Sequence, residues 1–157
     1  IDLNGVIEKV LSICQVQLKK SVDAFITRLT EDPPPVWTDP TAVEQILLNL
    51  LVNAAQAAEK KESRIELSVK VGDSWLDHTI LEVKDNGCGI DQNAIPKIFD
   101  PFFTTKSGTG GTGLGLYVTH NLVQSLRGRI DVDSKPGQGS AFRVFLPDKE
   151  RRQTPRT

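Results

Sequence analysis

Residues 108–116 read GTGGTGLGL, five glycines in nine positions, and they lead into a stretch with helical spacing (Leu114, Tyr117, Val118, Asn121, Leu122, Ser125). Glycines strip side chains from the backbone, and a helix start offers unpaired N–H groups at a positive dipole end. The stretch therefore suits a phosphate loop. It also contains a literal G-x-G-x-x-G at Gly108, Gly110 and Gly113. A dinucleotide fingerprint, however, needs a buried strand immediately upstream. FDPFFTTKS stands there instead, so the dinucleotide reading fails even though Asp131 and Asp133 follow at a similar acid spacing. A merely flexible surface loop would not need its glycines against a helix start.

Three further stretches narrow the ligand. In DNGCGI (85–90), Asp85 shares strand parity with Leu81 and Val83, which points its carboxylate toward the core side. A buried carboxylate needs a donor. Gly87 and Gly89 remove side chains where a flat ring could lie against the backbone. A carboxylate accepts from an exocyclic amine and repels a carbonyl oxygen, which favours adenine over guanine. An Asx turn closing the strand fits D-N-G equally well. Next, Gln45, Asn49, Asn53 and Gln56 recur at steps of four and three beside an apolar set, Val43, Ile46, Leu47, Leu50, Ala54 and Ala57. Asparagine is a weak helix former, and neutral amide oxygens suit a magnesium ion already largely neutralised by phosphates. An interhelical amide network or a solvated face is the alternative. Finally, IFDPFFTTK (98–106) holds Phe99, Phe102 and Phe103, half of the six phenylalanines. They either anchor a loop into the core or hinge a lid whose Lys106 reaches a terminal phosphate; a solvated lysine is the plainer reading of that residue.

These residues need a scaffold. Apolar residues at Leu3, Val6, Ile7, Val10, Leu11, Cys14 and Leu18 predict an amphipathic helix over 3–20. A short strand is expected at 24–29, then the turn-rich EDPPPVWTDP. Thr38 or Asp39 caps a second helix that starts near Pro40 and is expected to run to Lys60. Alternation at Ile65, Leu67, Val69 and Val71 predicts a strand, and HTILEVKD (78–85) another. Loops dominate 86–113. A third helix from Leu114 is ended by Gly128, and strands at 129–134 and 140–146 close the order, joined by KPGQG. This order breaks strict strand–helix alternation and predicts helices layered on one face of a mixed sheet.

Composition sets the class. The chain has 157 residues, enough for one domain with a proper core. Lys+Arg 19 against Asp+Glu 20 excludes a phosphate-backbone reader, so no nucleic-acid partner is expected. Cys14 and Cys88 lack metal-site spacing and read as half-buried fillers in a reducing compartment. With no apolar run near the ~20 residues of a span and no signal-peptide pattern, the expectation is a cytoplasmic chain without membrane contact. It lacks an initial Met, which suggests a piece of something longer. The polar tail DKERRQTPRT, 148–157, is expected to be disordered.

Together the four stretches resemble the catalytic ATP-binding domain of sensor histidine kinases, in the superfamily that includes gyrase, the ninety-kilodalton heat-shock chaperones and mismatch-repair ATPases. The likeness runs from IDLNGVIEKV through FRVFLP, so residues 1–147 would form that domain. QILLNLLVNAAQA matches the N box, DNGCGI the first glycine box, FDPFFTTK the F box, GTGLGL the second glycine box and GQGSAF the third. The resemblance implies a Bergerat-type α/β (α+β two-layer) sandwich: a mixed sheet covered on one face by three helices, with a mobile ATP lid. It implies ATP and Mg2+ as cofactors, with Asp85 on the adenine amino group, Gly87 and Gly89 against the base, Asn53 on magnesium and Asn49 nearby. Gly111, Gly113 and Gly115 would contact phosphates, and Thr104, Thr105 and Lys106 would lie in the lid. Ile90, Phe99, Thr112, Leu114, Leu116 and Ser140 fall in the same motifs and complete the implied nucleotide contacts, while Asn49, Asn53 and Lys106 are the implied catalytic set.

In such kinases the acceptor histidine sits on a separate dimerisation domain and is usually followed by an acidic residue. Here His78 precedes Thr79 and His120 precedes Asn121, so neither matches. The implied partners are therefore a histidine-containing dimerisation domain of the same protein and a response regulator receiver domain. Gln56 departs from relatives that place a basic residue there. Two rivals remain, a hydrolytic ATPase and a non-catalytic nucleotide-dependent binding module. Hydrolytic relatives carry a glutamate base where Asn49 stands, and an amide cannot take a proton from water.

Overall fold

The computed structural model describes residues 1–31, 33, 35, 36, 38–58, 61–71, 78–103 and 115–147. Helix α1 (Leu3–Ser21) buries Leu3, Ile7, Val10, Leu11 and Leu18, the stripe that its periodicity predicts. Lys19 and Lys20 in its last turn complement the negative end of the dipole. Burial pushes the thiol of Cys14, on the edge of this stripe, above its ordinary range, so it is a poor nucleophile at neutral pH.

Helix α2 (Pro40–Ala57) starts as expected, and Asp39 is its cap: the carboxylate accepts from the Thr41 N–H at 2.9 Å, with Pro40 in the first turn. Its end differs from the expectation of Lys60. The backbone turns extended at Ala58, and the Ala57 carbonyl accepts from the Cys88 N–H at 2.9 Å. Good helix formers follow in AAEKKE, so a tertiary contact, not propensity, stops this helix.

Five strands form one mixed sheet: β1 (Ala24–Arg28), β2 (Arg64–Val71), β3 (His78–Asp85), β4 (Arg129–Lys135) and β5 (Gly139–Pro147), in the order β1-β2-β3-β5-β4. Only β1 and β2 are parallel, and α2 supplies the crossover that a parallel pair requires. One face is apolar. Leu67, Val83 and Phe142 pair across β2, β3 and β5, as do Val69, Leu81 and Val144. This face meets Val43, Ile46, Leu47, Leu50 and Leu51 of α2, flanked by α1 and α3 (Gly115–Ser125), in a single core. The opposite face is charged. There Glu82, only 6% exposed, is held by Arg143 Nε at 2.7 Å and Lys70 Nζ at 3.6 Å. The expected layering, a mixed sheet with helices on one face, is what the chain forms.

Helix α3 ends ahead of Gly128, as expected. Gly128 does not take the left-handed position; Arg127 does, with φ of 58°. The Gly128 N–H reaches back to the Val123 carbonyl at 3.1 Å and the Arg127 N–H to Gln124 at 3.0 Å, the Schellman pattern. Gly128 is required for another reason, because a Cβ there would stand 2.5 Å from the Phe145 carbonyl oxygen. Between β3 and α3, the only helical turn among the described residues is a 3-10 turn at Ile95–Lys97. No helix among the described residues is long and apolar enough to cross a membrane.

Replacing Arg127 with glycine is expected to stabilise the chain by about 1 kcal/mol by relieving the left-handed backbone. Gly128→Ala is expected to cost about 2 kcal/mol through overpacking. Urea unfolding of both variants checks the pair; the opposite signs would place the left-handed residue at Gly128.

Candidate nucleotide site

The apolar face of the sheet turns polar at one end. Asp85 closes β3 on the same side as Leu81 and Val83 and is 6% exposed. It pairs in register with Ser140 of β5, and Ser140 pairs with Ser134 of β4. The hydroxyls of Ser134 and Ser140 lie 2.7 Å apart, and both residues are buried. Asp85 Oδ1 accepts the Gly87 N–H at 2.8 Å. The inward carboxylate and the Asx turn are thus two descriptions of one arrangement, not alternatives.

The loop that follows is clamped from three directions. Asn86 accepts the Arg64 N–H at 2.7 Å through Oδ1 and donates to the Glu62 carbonyl at 3.0 Å through Nδ2. Cys88 bonds to the end of α2 and accepts through its carbonyl from the Gly137 N–H at 2.7 Å. The Ile90 N–H donates to Ser134 Oγ at 2.8 Å, and Gln92 Nε2 to the Ser134 carbonyl at 2.7 Å. Asn86 and Ser134 were absent from the sequence-based site. The asparagine had no signal beyond the turn preference of D-N-G, and the serine had none.

Gly87 and Gly89 also have a steric reason to be glycine. A Cβ on Gly87 would stand 2.2 Å from the Ala57 carbonyl oxygen, and one on Gly89 (φ 72°) 2.0 Å from that of Lys135. Backbone approaches both residues on the side that a Cβ would occupy. Gly115 is the opposite case: a Cβ at this exposed first residue of α3 would meet nothing within 4 Å.

A second polar group lies along α2. Gln45 Nε2 donates to Asn49 Oδ1 at 2.9 Å, and Asn49 Nδ2 donates to Thr119 Oγ1 of α3 at 3.2 Å. The interhelical amide network weighed for this row is therefore present at Gln45 and Asn49. Asn53, half-buried, lies one turn further on, and Gln56 is exposed. Among the described residues no cluster of three or more His, Cys, Asp or Glu could hold a metal ion. Phe99 packs against the core with Ile90, Phe103 and Leu116, and its ring meets that of His120 at 5.1 Å. Phe102 is 73% exposed with φ of 67°, so the phenylalanines divide into two anchors and one outward residue. Thr104, Thr105, Lys106, Gly111, Thr112, Gly113 and Leu114 lie outside the described residues, as do Gly108, Gly110 and the 148–157 tail.

A family model described as histidine kinase-, DNA gyrase B-, and HSP90-like ATPase matches residues 38–150. The chain belongs to this ATPase family. Among the family's sensor kinases, the signal transduction histidine-protein kinase AtoS of Escherichia coli K12 is 36% identical over 147 residues, 94% of this chain and 23% of its own length. The chain thus spans less than a quarter of that relative. The solved catalytic domain of histidine kinase ThkA is 28% identical with a TM-score of 0.78, covering 94% of this chain and 93% of that one. A mycobacterial sensor histidine kinase, MprB, gives 26% identity and a TM-score of 0.80, with 94% and 96% covered. The ATP-binding fold of the family is the fold seen here. In this ATPase-family domain the polar sheet end and the amide row share one helix, α2, whose last carbonyl touches the glycine-box loop.

Gly87→Ala is expected to break the Cys88–Ala57 bond and to destabilise the domain by about 2 kcal/mol. Hydrogen exchange at the Cys88 amide reads this directly: protection there should collapse in the variant, and unchanged protection would refute the contact.

Proposed function

We propose that this chain is the phosphoryl-donating domain of a sensor histidine kinase, that residues 1–147 form it, and that it passes the γ-phosphoryl group of Mg-ATP to a histidine on a dimerisation domain elsewhere in the same protein. A response regulator receiver domain is the onward partner. The observation that carries this reading is the buried Asp85 carboxylate at the polar end of an otherwise apolar sheet face. Its Oδ1 is oriented by the Gly87 N–H, and the carboxylate is an acceptor suited to the adenine amino group. Buried Ser140, the next residue across the sheet, extends the polar row. Gly87, Gly89 and Ile90 form the wall beside the base, and Phe99 and Leu116 pack near it.

Phosphates belong at the start of α3. Among the described residues nothing would meet a Cβ on Gly115, and helix N–H groups there favour anions. Gly111, Thr112, Gly113 and Leu114 precede it in sequence, with Thr104, Thr105 and Lys106 in the lid. Asn53 would hold magnesium with Asn49 nearby, since neutral amide oxygens suit a cation whose charge is met by phosphate oxygens. When bound, the ion supplies charge neutralisation. The chain's own residues orient the base, aim the phosphate chain and exclude water, which is most of what phosphoryl transfer asks of a protein. Asn49 argues against hydrolysis, since its amide is bonded to Gln45 and Thr119 and offers no base. His120 is in ring contact with Phe99 and is followed by Asn121, so it is no acceptor.

Mixing this chain with γ-labelled ATP and a histidine-bearing helical hairpin should yield acid-labile phosphohistidine; label found only as free phosphate would favour the hydrolase. Asp85→Asn keeps an acceptor for the Gly87 N–H, so the unfolding midpoint should hardly move. Affinity for a non-hydrolysable ATP analogue, measured by calorimetry, should fall about 10- to 100-fold. Undiminished binding would remove Asp85 from the adenine site.

A further inference from the structure

The two ends of an asparagine amide are nearly identical in shape, so its orientation is set by what faces it. Thr119 on α3 is fully buried, at 0% exposure, and its hydroxyl donates to the Gly115 carbonyl at 2.8 Å. A hydroxyl has one proton. With that proton committed, the Thr119 oxygen can meet Asn49 only as an acceptor, and so can the Gly115 carbonyl, 3.4 Å from Asn49 Nδ2. Two acceptors thus face the amide from α3, and only its NH2 end satisfies them. Oδ1 is turned to the other side, where Gln45 Nε2 donates to it at 2.9 Å and where Gln45 is exposed.

We propose that Thr119 is a positioning residue for phosphoryl transfer: it fixes the polarity of the Asn49 amide, locking the NH2 onto the first turn of α3 and leaving Oδ1 as the one atom Asn49 can offer outward. The proposal rests on the phosphotransfer reading above. Its chemical content is a selectivity. An outward carbonyl oxygen accepts from water or coordinates a cation but repels a phosphate oxygen, whereas an outward NH2 would do the reverse. The same bond ties α2 to the helix start that follows residues 104–114, so the two elements meet the phosphate chain in fixed relation. Valine has nearly the shape of threonine and supplies neither lone pair nor proton; serine restores both.

The test uses the whole chain with Thr119→Val and Thr119→Ser. In the apo protein, the 15N-resolved side-chain NH2 of Asn49 should exchange with water slowly in the native chain and in Thr119→Ser. It should exchange about tenfold faster in Thr119→Val. With Mg-ATP and the histidine-bearing hairpin, Thr119→Val should lower the transfer rate at saturating ATP about tenfold, with metal-free affinity for the ATP analogue within about twofold of native, and Thr119→Ser should recover most of the rate. Equal losses in both variants would assign the effect to packing and overturn the proposal, as would an Asn49 NH2 unaffected by valine. Should valine prevent folding, the serine variant alone decides, since a rate far below native would sink the hydroxyl's role. If the native chain fails to transfer phosphate at all, the functional reading falls, while the amide exchange still reports whether Thr119 sets the amide.

Discussion

The Cys88 N–H donates to the carbonyl of Ala57 across 2.9 Å, and this single backbone bond joins the last turn of α2 to the loop leaving β3. A helix ends with carbonyls that lack partners inside it, and here one of them is met by a segment distant in the chain. The approach is so close that residue 87 must be glycine, a Cβ there falling 2.2 Å from the same oxygen. Its consequences run in both directions. Toward the helix, the bond ends α2 at Ala57 despite the helix-forming residues that follow. Toward the sheet, it holds the Gly87 N–H where it can orient Asp85.

A carboxylate kept from water is costly unless hydrogen bonded. Here the Gly87 N–H engages one oxygen, and the neighbouring strand positions carry serine hydroxyls rather than methyl groups. Ser134 accepts from the Ile90 N–H and lies within reach of both Ser140 and the Gly139 carbonyl at 3.0 Å, so strand and loop share one small network. Gly139 (φ 113°) repeats the steric theme, since a Cβ there would stand 2.1 Å from the Asp85 carbonyl oxygen. Three glycines therefore let backbone from α2, from β3 with its loop and from the β4–β5 turn converge on one buried acid.

This also explains what could be read in advance. The helices and strands were legible because burial imposes a period: α1 follows its apolar stripe, and β3 alternates to the point where Asp85 replaces an apolar residue. The five motifs in order revealed the family. What stayed hidden depends on contacts between segments far apart in the chain. The end of α2 needs Cys88; the need for glycine at 128 comes from Phe145, while the left-handed turn falls on Arg127, which no propensity would choose. The polarity of Asn49 comes from Thr119, 70 residues away. The close approach of Ala57 to Gly87 and of Lys135 to Gly89 was equally hidden, because composition shows that a side chain is missing but not which backbone stands where it would be.

The geometry of α2 then carries an argument of its own. Asn49 and Ala57 are eight residues apart, roughly 12 Å along a helix rising 1.5 Å per residue. At its C-terminal end the helix touches the glycine-box loop beside Asp85; near its middle Asn49 bonds to α3. A rigid helix thus holds the loop beside the buried carboxylate and the first turn of α3 in fixed relation. Two segments far apart in the chain are in this way fastened to the same rod. Shortening or bending the rod would misplace one end relative to the other, which is why α2 buries Ile46, Leu47, Leu50 and Leu51 completely in the core while its polar stripe is left to hydrogen bonding.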